Sequence, residues 1–427
     1  MRTRVPEPRR MDFQSVKRVA DLDIGQKEKE NREAKRGKTE SGNESPHSKE
    51  GNMTKKYRVA IVGFGHMHIN NVASLYAEHP QVQWAAAADT RPLCPERRVA
   101  PYTRQWNLDH LVEKLGLPKT YEDYREMLCQ ERPEIVIVSC ENAQHPDVVE
   151  ACAAVGAHVC VEKPMAASLA DALRMKRACD AAGTTMIVNW PVTWLPAVRM
   201  AKRLIDEGAV GRVLEVKCRV GHTGPLGPSA AHAGVSETAA PMSGPERAAT
   251  WWHQEAAGGG ALLDFCCYGA MLARWYIGQP AVAALGMKAN LDSQWADAED
   301  NAAILVRFPQ AMAVLEGSWT TWHHGGPSGP VVLGTTGTLV VDFESQDLAV
   351  RVERGHGRAD SYPIDEQLPR GRANVAEEFV HHLDTGEPLH PTLQSQFNLE
   401  AMAVLDAGLR SARSGKLETV DDAAGNG

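Results

Sequence analysis

Short, continuous apolar runs that alternate with helical stretches constrain this chain more than any other feature. Val59-Ala60-Ile61-Val62 leads into the turn Gly63-Phe64-Gly65, a helix through about Ala77, and a second run from Val82 to Ala88 that stops at Asp89. Ile135 to Val138, His158 to Val161 and Met186 to Val188 repeat the pattern, separated by helical stretches such as Pro146 to Val155 and Leu169 to Ala182. A strand that is apolar along its whole length is buried on both faces, so the pattern predicts a doubly wound parallel sheet covered by helices. After Asn189 the period changes. Following a helix over 195–207, the segments Val213 to Val220, Ala302 to Phe308, Ala311 to Ser318, Val331 to Leu333 and Thr338 to Asp342 alternate apolar and polar residues. That alternation predicts a mainly antiparallel sheet with one open face. A Pro/Gly/Ala-rich loop over 221–245, an apolar helix from Gly258-Gly259-Gly260 to Tyr276, and helices over 374–382 and 395–414 complete the reading. The expected class is α/β: an N-terminal Rossmann domain over 55–190, a C-terminal α+β domain over 191–420, and a tail over 421–427.

Composition narrows the function classes. With 427 residues and 43% hydrophobic content, the chain can bury two cores. The net charge is −8, and the first 56 residues carry 15 Lys/Arg against 10 Asp/Glu, which leaves −13 on the remainder. An acidic folded part argues against a nucleic-acid surface. Residues 1–54 are polar and expected to be disordered, or alternatively to lie upstream of a natural start at Met53. No run approaches roughly 18 consecutive apolar residues, and the basic N-terminus has no apolar signal segment, so a cytoplasmic protein without a membrane partner is expected. Nine cysteines without a CxxC pair suit reduced packing thiols, with the vicinal Cys266-Cys267 the pair to watch.

Gly63 and Gly65 lie between a strand and a helix, where missing side chains let a pyrophosphate reach the helix N-terminus. The cofactor candidates on this turn are Gly63, Phe64, Gly65, His66 and Met67. Asp89, at the end of the second strand, is placed to accept from an adenosine ribose and so favours NAD. Arg91 can stack on adenine or meet a 2′-phosphate, which keeps NADP open. Position 68 is His where the fingerprint has a third glycine. His66 and His68 form an HxH pair without further ligands nearby in sequence, so no metal is expected.

Glu162-Lys163-Pro164 closes an apolar strand, which puts Lys163 on the edge where doubly wound sheets bind ligands. Burial and an oxidised nicotinamide would both lower its pKa and let the amine exchange a proton with a substrate hydroxyl. Asp264 and Tyr268, four residues apart, share a face of the apolar helix, and a carboxylate there needs polar partners. Asn189, Trp190, Trp252 and His253 are candidate substrate contacts, since indole faces suit sugar rings; the alternative is that each is core or interface.

Together Gly63-Phe64-Gly65, Asp89, the strand end Ser139 to His145, Glu162-Lys163-Pro164, 208–211 and the helix carrying Asp264 resemble the glucose-fructose oxidoreductase, inositol 2-dehydrogenase and rhizopine catabolism (Gfo/Idh/MocA) family. The resemblance runs from Tyr57 to about Val420. It implies hydride transfer between a sugar, cyclitol or polyol hydroxyl carbon and a nicotinamide. In that reading Lys163 and Tyr268 handle the proton and Asp264 orients them. It also implies that Ser139, Asn142, His145 and Glu162 line the cofactor, with His145 near the nicotinamide ribose. The family pattern Asp-x-Gly-x-His reads Asp264, Cys266 and Tyr268 here, and a cysteine in the glycine's place would crowd the nicotinamide. Two alternatives stay open: an NAD-dependent glycoside-cleaving enzyme that works through transient oxidation, and a non-catalytic NAD(P)-binding sugar sensor. The open-faced sheet predicts a homodimer or homotetramer.

Overall fold

The computed structural model describes residues 55–421, except 229, 231, 233, 238, 239, 325, 344–348, 356, 365 and 366. The expectations for 1–54 and for the tail past Asp421 lie outside the described residues. Eleven elements open the chain: β1 (Tyr57–Val62), α1 (Ile69–Glu78), β2 (Val82–Ala88), α2 (Arg104–Leu115), β3 (Thr120–Tyr121), α3 (Tyr124–Glu131), β4 (Ile135–Val138), α4 (His145–Ala154), β5 (His158–Glu162), α5 (Leu169–Ala182) and β6 (Met186–Asn189). The strands pair in parallel in the order β3-β2-β1-β4-β5-β6. Every residue of β4 and β6 is buried, as their unbroken apolar sequences require. The order reverses between β1 and β4, so the crevice at their carboxyl ends is the ligand edge of the sheet. Local signals set the helix ends: the Ser168 hydroxyl accepts from the Asp171 amide at the start of α5, and Gly183 ends it in the left-handed conformation.

The second half carries α6 (Pro196–Asp206), β7 (Val213–Gly221), α7 (Gly244–Ala248), α8 (Cys267–Ile277), β8 (Ala283–Ala289), β9 (Asn301–Arg307), β10 (Met312–Ser318), β11 (Val331–Gly334), β12 (Thr338–Val340), β13 (Ala349–Gly355), β14 (Arg358–Pro363), α9 (Val375–Thr385), α10 (Ser395–Ser414) and β15 (Glu418–Thr419). These strands form one nine-stranded sheet, β14-β13-β12-β11-β7-β10-β9-β8-β15. It is antiparallel apart from the central pair β7 and β10, which run parallel. Sequence reading missed β8, β13 and β14. β8 carries little more than small residues on its inner side, and β14 is a polar edge strand, so neither shows a strong period.

One face of this sheet is covered by α8 and α10. A Cβ at Gly286 would come within 2.1 Å of the Gly408 carbonyl oxygen, so glycine is what lets α10 lie against β8. The other face exposes Leu285, Met287, Leu305 and Met312. The run Glu255–Ile277 is long and apolar enough by composition to cross a membrane, but 89% of its most apolar window is buried inside the protein, as a core helix is. The expected unbroken helix from the triple glycine to Tyr276 is instead a π-helical turn, Leu262–Cys266, followed by α8. Asp264 sits inside that wide turn. Its relation to Tyr268 is therefore not the ordinary i, i+4 stacking the spacing implied.

Candidate active site

The strand-end segments of the parallel sheet and the π turn converge on a cavity of about 210 Å³ lined by His66, Met67, His68, Lys163, His222, His232, Trp252, Asp264, Phe265 and Tyr268, among others. At its floor Lys163 is 1% exposed. Its Nζ donates to Asp264 Oδ1 at 2.7 Å and to the Asp264 carbonyl oxygen at 3.0 Å. Trp319 Nε1 donates to the other carboxylate oxygen at 3.0 Å, so both Asp264 oxygens are engaged. Burial by itself would depress the Lys163 ammonium, but the adjoining Asp264 carboxylate outweighs it and holds the pKa well above the ordinary lysine value. This reverses the sequence expectation of a lowered pKa, which could not include a counter-ion 101 residues away.

Tyr268 reaches the cavity by a different contact from the one expected. Its ring, not its hydroxyl, meets the lysine: Nζ lies 4.7 Å from the ring centroid, and the Trp190 ring makes a T-shaped contact with it at 5.5 Å. Burial raises the Tyr268 pKa and keeps the phenol protonated. Cys266 does not crowd the cavity, because its thiol turns toward the carbonyl oxygens of Ala302 and Leu315 on the sheet. Cys267 donates to the Asp264 carbonyl at 3.1 Å, and burial pushes its pKa up to about 12, so it stays a thiol.

Three of the predicted substrate contacts lie behind the cavity. Asn189 donates to Glu162 Oε1 at 2.6 Å and so holds that carboxylate. Trp190 is a buried core residue that donates to Asn398 Oδ1 at 2.7 Å. His253 is buried between Trp295 and Trp319 and bonds the Thr250 hydroxyl. Only Trp252 of that set lines the cavity. An aromatic residue near a glycine-rich loop serves packing as readily as binding, and sequence cannot separate the two.

On the cofactor side, the turn packs directly on the next strand end: a Cβ at Gly63 would come 2.4 Å from the Cys140 amide nitrogen. A Cβ at Gly65 would come 3.1 Å from Arg104 Nη2 and 3.4 Å from the Trp251 ring, and Trp251 Nε1 donates to the Gly65 carbonyl at 2.7 Å. The Phe64 amide donates to Asp89 Oδ1 at 3.0 Å, which ties the turn to the end of β2. Arg104, which sequence reading missed, pairs with both Asp89 and the buried Glu141. It does so 15 residues beyond Asp89, with no spacing to announce it. Arg91 is exposed, and its carbonyl oxygen accepts from Gln144 Nε2. Ser139 bonds the His66 carbonyl through its hydroxyl, and Asn142 Nδ2 donates to the Gly258 carbonyl at 2.8 Å, leaving Oδ1 buried without a partner among the described residues. His145 is fully buried with its ring nitrogens on the Met165 and Cys140 carbonyl oxygens, so it braces the strand ends rather than facing a ribose.

These features fit a dinucleotide: side-chain-free positions at the turn, a carboxylate at the end of β2 whose Oδ2 has no partner among the described residues, and an orphaned acceptor on Asn142. The structure also brings a third potential ligand to the HxH pair that sequence left isolated. Donor atoms of His66, His68 and Glu162 lie within 4.8 Å of one another, with His68 Nδ1 at 3.1 Å from Glu162 Oε2.

Comparison with known proteins identifies the family and the fold. Residues 57–190 match the family described as oxidoreductase family, NAD-binding Rossmann fold, and residues 198–340 match the GFO/IDH/MocA C-terminal domain. The NADP(+) D-xylose 1-dehydrogenase of Haloarcula marismortui is 29% identical over 225 residues, 52% of this chain and 57% of that protein. The chain thus spans little more than half of that relative. The myo-inositol 2-dehydrogenase of Thermotoga maritima is 25% identical over 329 residues, 74% of this chain and 90% of that protein. The crystal structure of aldose-aldose oxidoreductase from Caulobacter crescentus, complexed with glycerol, superposes with a TM-score of 0.66 at 23% identity over 86% of this chain and 100% of that one, which establishes the shared fold.

Proposed function

Because the chain belongs to the GFO/IDH/MocA oxidoreductase family, we propose that it is an NAD(P)-dependent oxidoreductase acting on a secondary alcohol of a sugar, cyclitol or polyol. The observation that carries this reading is the buried Lys163–Asp264 pair at the floor of a cavity lined by both the glycine-turn residues and the π turn. In this reading residues 55–190 hold the cofactor through Gly63, Gly65, Asp89 and Asn142, and residues 191–420 supply the substrate wall. The bound nicotinamide supplies or accepts the hydride. Asp264 accepts from Lys163 and Trp319 and keeps Lys163 charged, which leaves the ammonium able to donate to the substrate oxygen as negative charge develops there. A lysine kept protonated suits hydrogen bonding to the oxygen on which negative charge develops, more than release of its own proton. Trp252 and Phe265 supply apolar walls, and Tyr268 presents its ring to Lys163.

The exposed apolar stripe on the large sheet supports a dimer formed through that face. Leu305 lies between Leu285 and Val314 in register, a three-strand apolar row suited to self-pairing.

The test is a panel of sugars, cyclitols and glycosides assayed with each oxidised and reduced nicotinamide cofactor. Lys163→Met should lower turnover by orders of magnitude and spare cofactor affinity; equal loss of both would contradict the role assigned to Lys163. Glycoside cleavage without net change in nicotinamide absorbance would replace the dehydrogenase reading with a hydrolytic one.

A further inference from the structure

Three carboxylates and one guanidinium meet beside the glycine turn. Arg104 Nη1 donates to Asp89 Oδ1 at 2.5 Å and to the Thr90 carbonyl oxygen at 3.1 Å, and Nη2 donates to the buried Glu141. The Arg104 amide donates to Glu96 Oε2 at 2.9 Å, which brings in the third acid. The two paired carboxylates outweigh burial and hold the guanidinium charged. With every acid ionised, Asp89, Glu96 and Glu141 against Arg104 leave the cluster at −2.

A dinucleotide's pyrophosphate would add negative charge at this edge, and it approaches such a turn where the second glycine lacks a side chain. Arg104 lies against that bare face of Gly65, since a Cβ there would come 3.1 Å from Nη2. Other groups near the turn do not supply the charge. Lys163 is paired with Asp264, and burial keeps His66 uncharged. The Nε–H of Arg104 has no acceptor among the described residues, so the guanidinium keeps a donor in reserve.

Resting on the oxidoreductase reading above, we propose that Arg104 is the counter-cation of the cofactor's pyrophosphate. Asp89 and Glu141 hold it beside Gly65 in the free protein, and a planar fork that serves two carboxylates also matches a phosphate. Without it, a pyrophosphate would face uncompensated carboxylates, a repulsion that uncharged adenosine does not feel. The competing role is structural: Arg104 would only keep Asp89 and Glu141 in place. Charge separates the two. Arg104→Met/Glu141→Gln removes one charge of each sign, so the cluster stays at −2 and Glu141 is not left buried without its partner.

The experiment is isothermal titration of the full-length protein with NAD, NADP, ADP-ribose and adenosine, beside a thermal melt. It is run at pH 8, because burial pushes the Glu96 carboxyl up to about 7. The double variant should melt within about 4 °C of the parent. It should bind ADP-ribose about 10- to 100-fold more weakly, as loss of a hydrogen bond to a charged group does, and adenosine less than about threefold more weakly. Arg104→Lys keeps the charge but cannot reach two carboxylates and a phosphate at once, and should weaken ADP-ribose alone by about three- to tenfold. Unchanged ADP-ribose affinity in Arg104→Lys overturns the proposal even if the double variant does not fold. So does a folded double variant that binds ADP-ribose as the parent does, or one that loses ADP-ribose and adenosine equally. If adenosine binds the parent too weakly to titrate, loss of ADP-ribose at an unchanged melting temperature decides alone. A parent that binds none of NAD, NADP and ADP-ribose removes the oxidoreductase reading itself, whereas a parent and variants that bind them alike remove only the role of Arg104.

Discussion

Replacing Asp264 by Asn should expose how much the buried lysine depends on its counter-ion. The change keeps the shape of the side chain and leaves Lys163 its bond to the residue-264 carbonyl oxygen, now 3.0 Å away, while the amide NH2 meets either Lys163 or Trp319 as donor to donor, so the charge and one hydrogen bond are removed. At 2.7 Å the ammonium and carboxylate attract by roughly 6 kcal/mol gross at an effective dielectric constant of about 20. Removing one member of a buried pair leaves the other charge uncompensated and costs about 3–5 kcal/mol net. Urea unfolding at pH 7, followed by both circular dichroism and tryptophan fluorescence, should therefore show Asp264→Asn destabilised by about that amount. The double variant Lys163→Met/Asp264→Asn leaves neither charge of this pair and should be destabilised by less than the sum of the two single changes, by about 2 kcal/mol or more.

The pH dependence carries a sign. In the parent the folded pKa of Lys163 lies above the unfolded value of 10.5, so its contribution is complete below pH 10.5 and is lost as pH rises beyond it. In Asp264→Asn only burial remains, the folded pKa falls below the unfolded one, and stability should instead rise with pH up to about 10. A destabilisation under about 1 kcal/mol, additivity in the double variant, or a flat profile for Asp264→Asn between pH 7 and 10 would refute the reasoning.

Two further outcomes follow from the same geometry. Tyr268→Phe keeps the ring beside Lys163, so stability should change by less than about 1 kcal/mol; if the hydroxyl transfers a proton, turnover should fall about 100-fold or more, and a loss under about threefold would leave Lys163 to act alone. Leu305→Glu places a charge in the middle of the exposed apolar row and should yield monomers by light scattering where the parent is a dimer; a parent that is already monomeric would remove the proposed interface.

The local order of the chain was legible from its residues. Unbroken apolar runs give doubly buried parallel strands, and alternating ones give a half-open sheet, because both patterns are set by which neighbours a strand must satisfy. Ser168, Gly183 and Asn374 cap helix ends for equally local reasons. Lys163 and Asp264 could be singled out because polar groups at strand ends or in apolar helices are costly without a purpose, whereas Tyr268 entered through the family resemblance.

What those residues do to one another was decided by the tertiary structure. The pKa of Lys163 reversed its expected direction because Asp264 arrives from the π turn, 101 residues along the chain. Arg104 joined Asp89 to Glu141 across two strand ends, and Trp190 and His253 turned into the core. Cys266 left the cavity because a π turn rotated it toward the sheet. Secondary structure follows from periods of a few residues, whereas electrostatics and cavity lining depend on distances of a few ångströms between segments far apart in sequence. No local pattern encodes those distances.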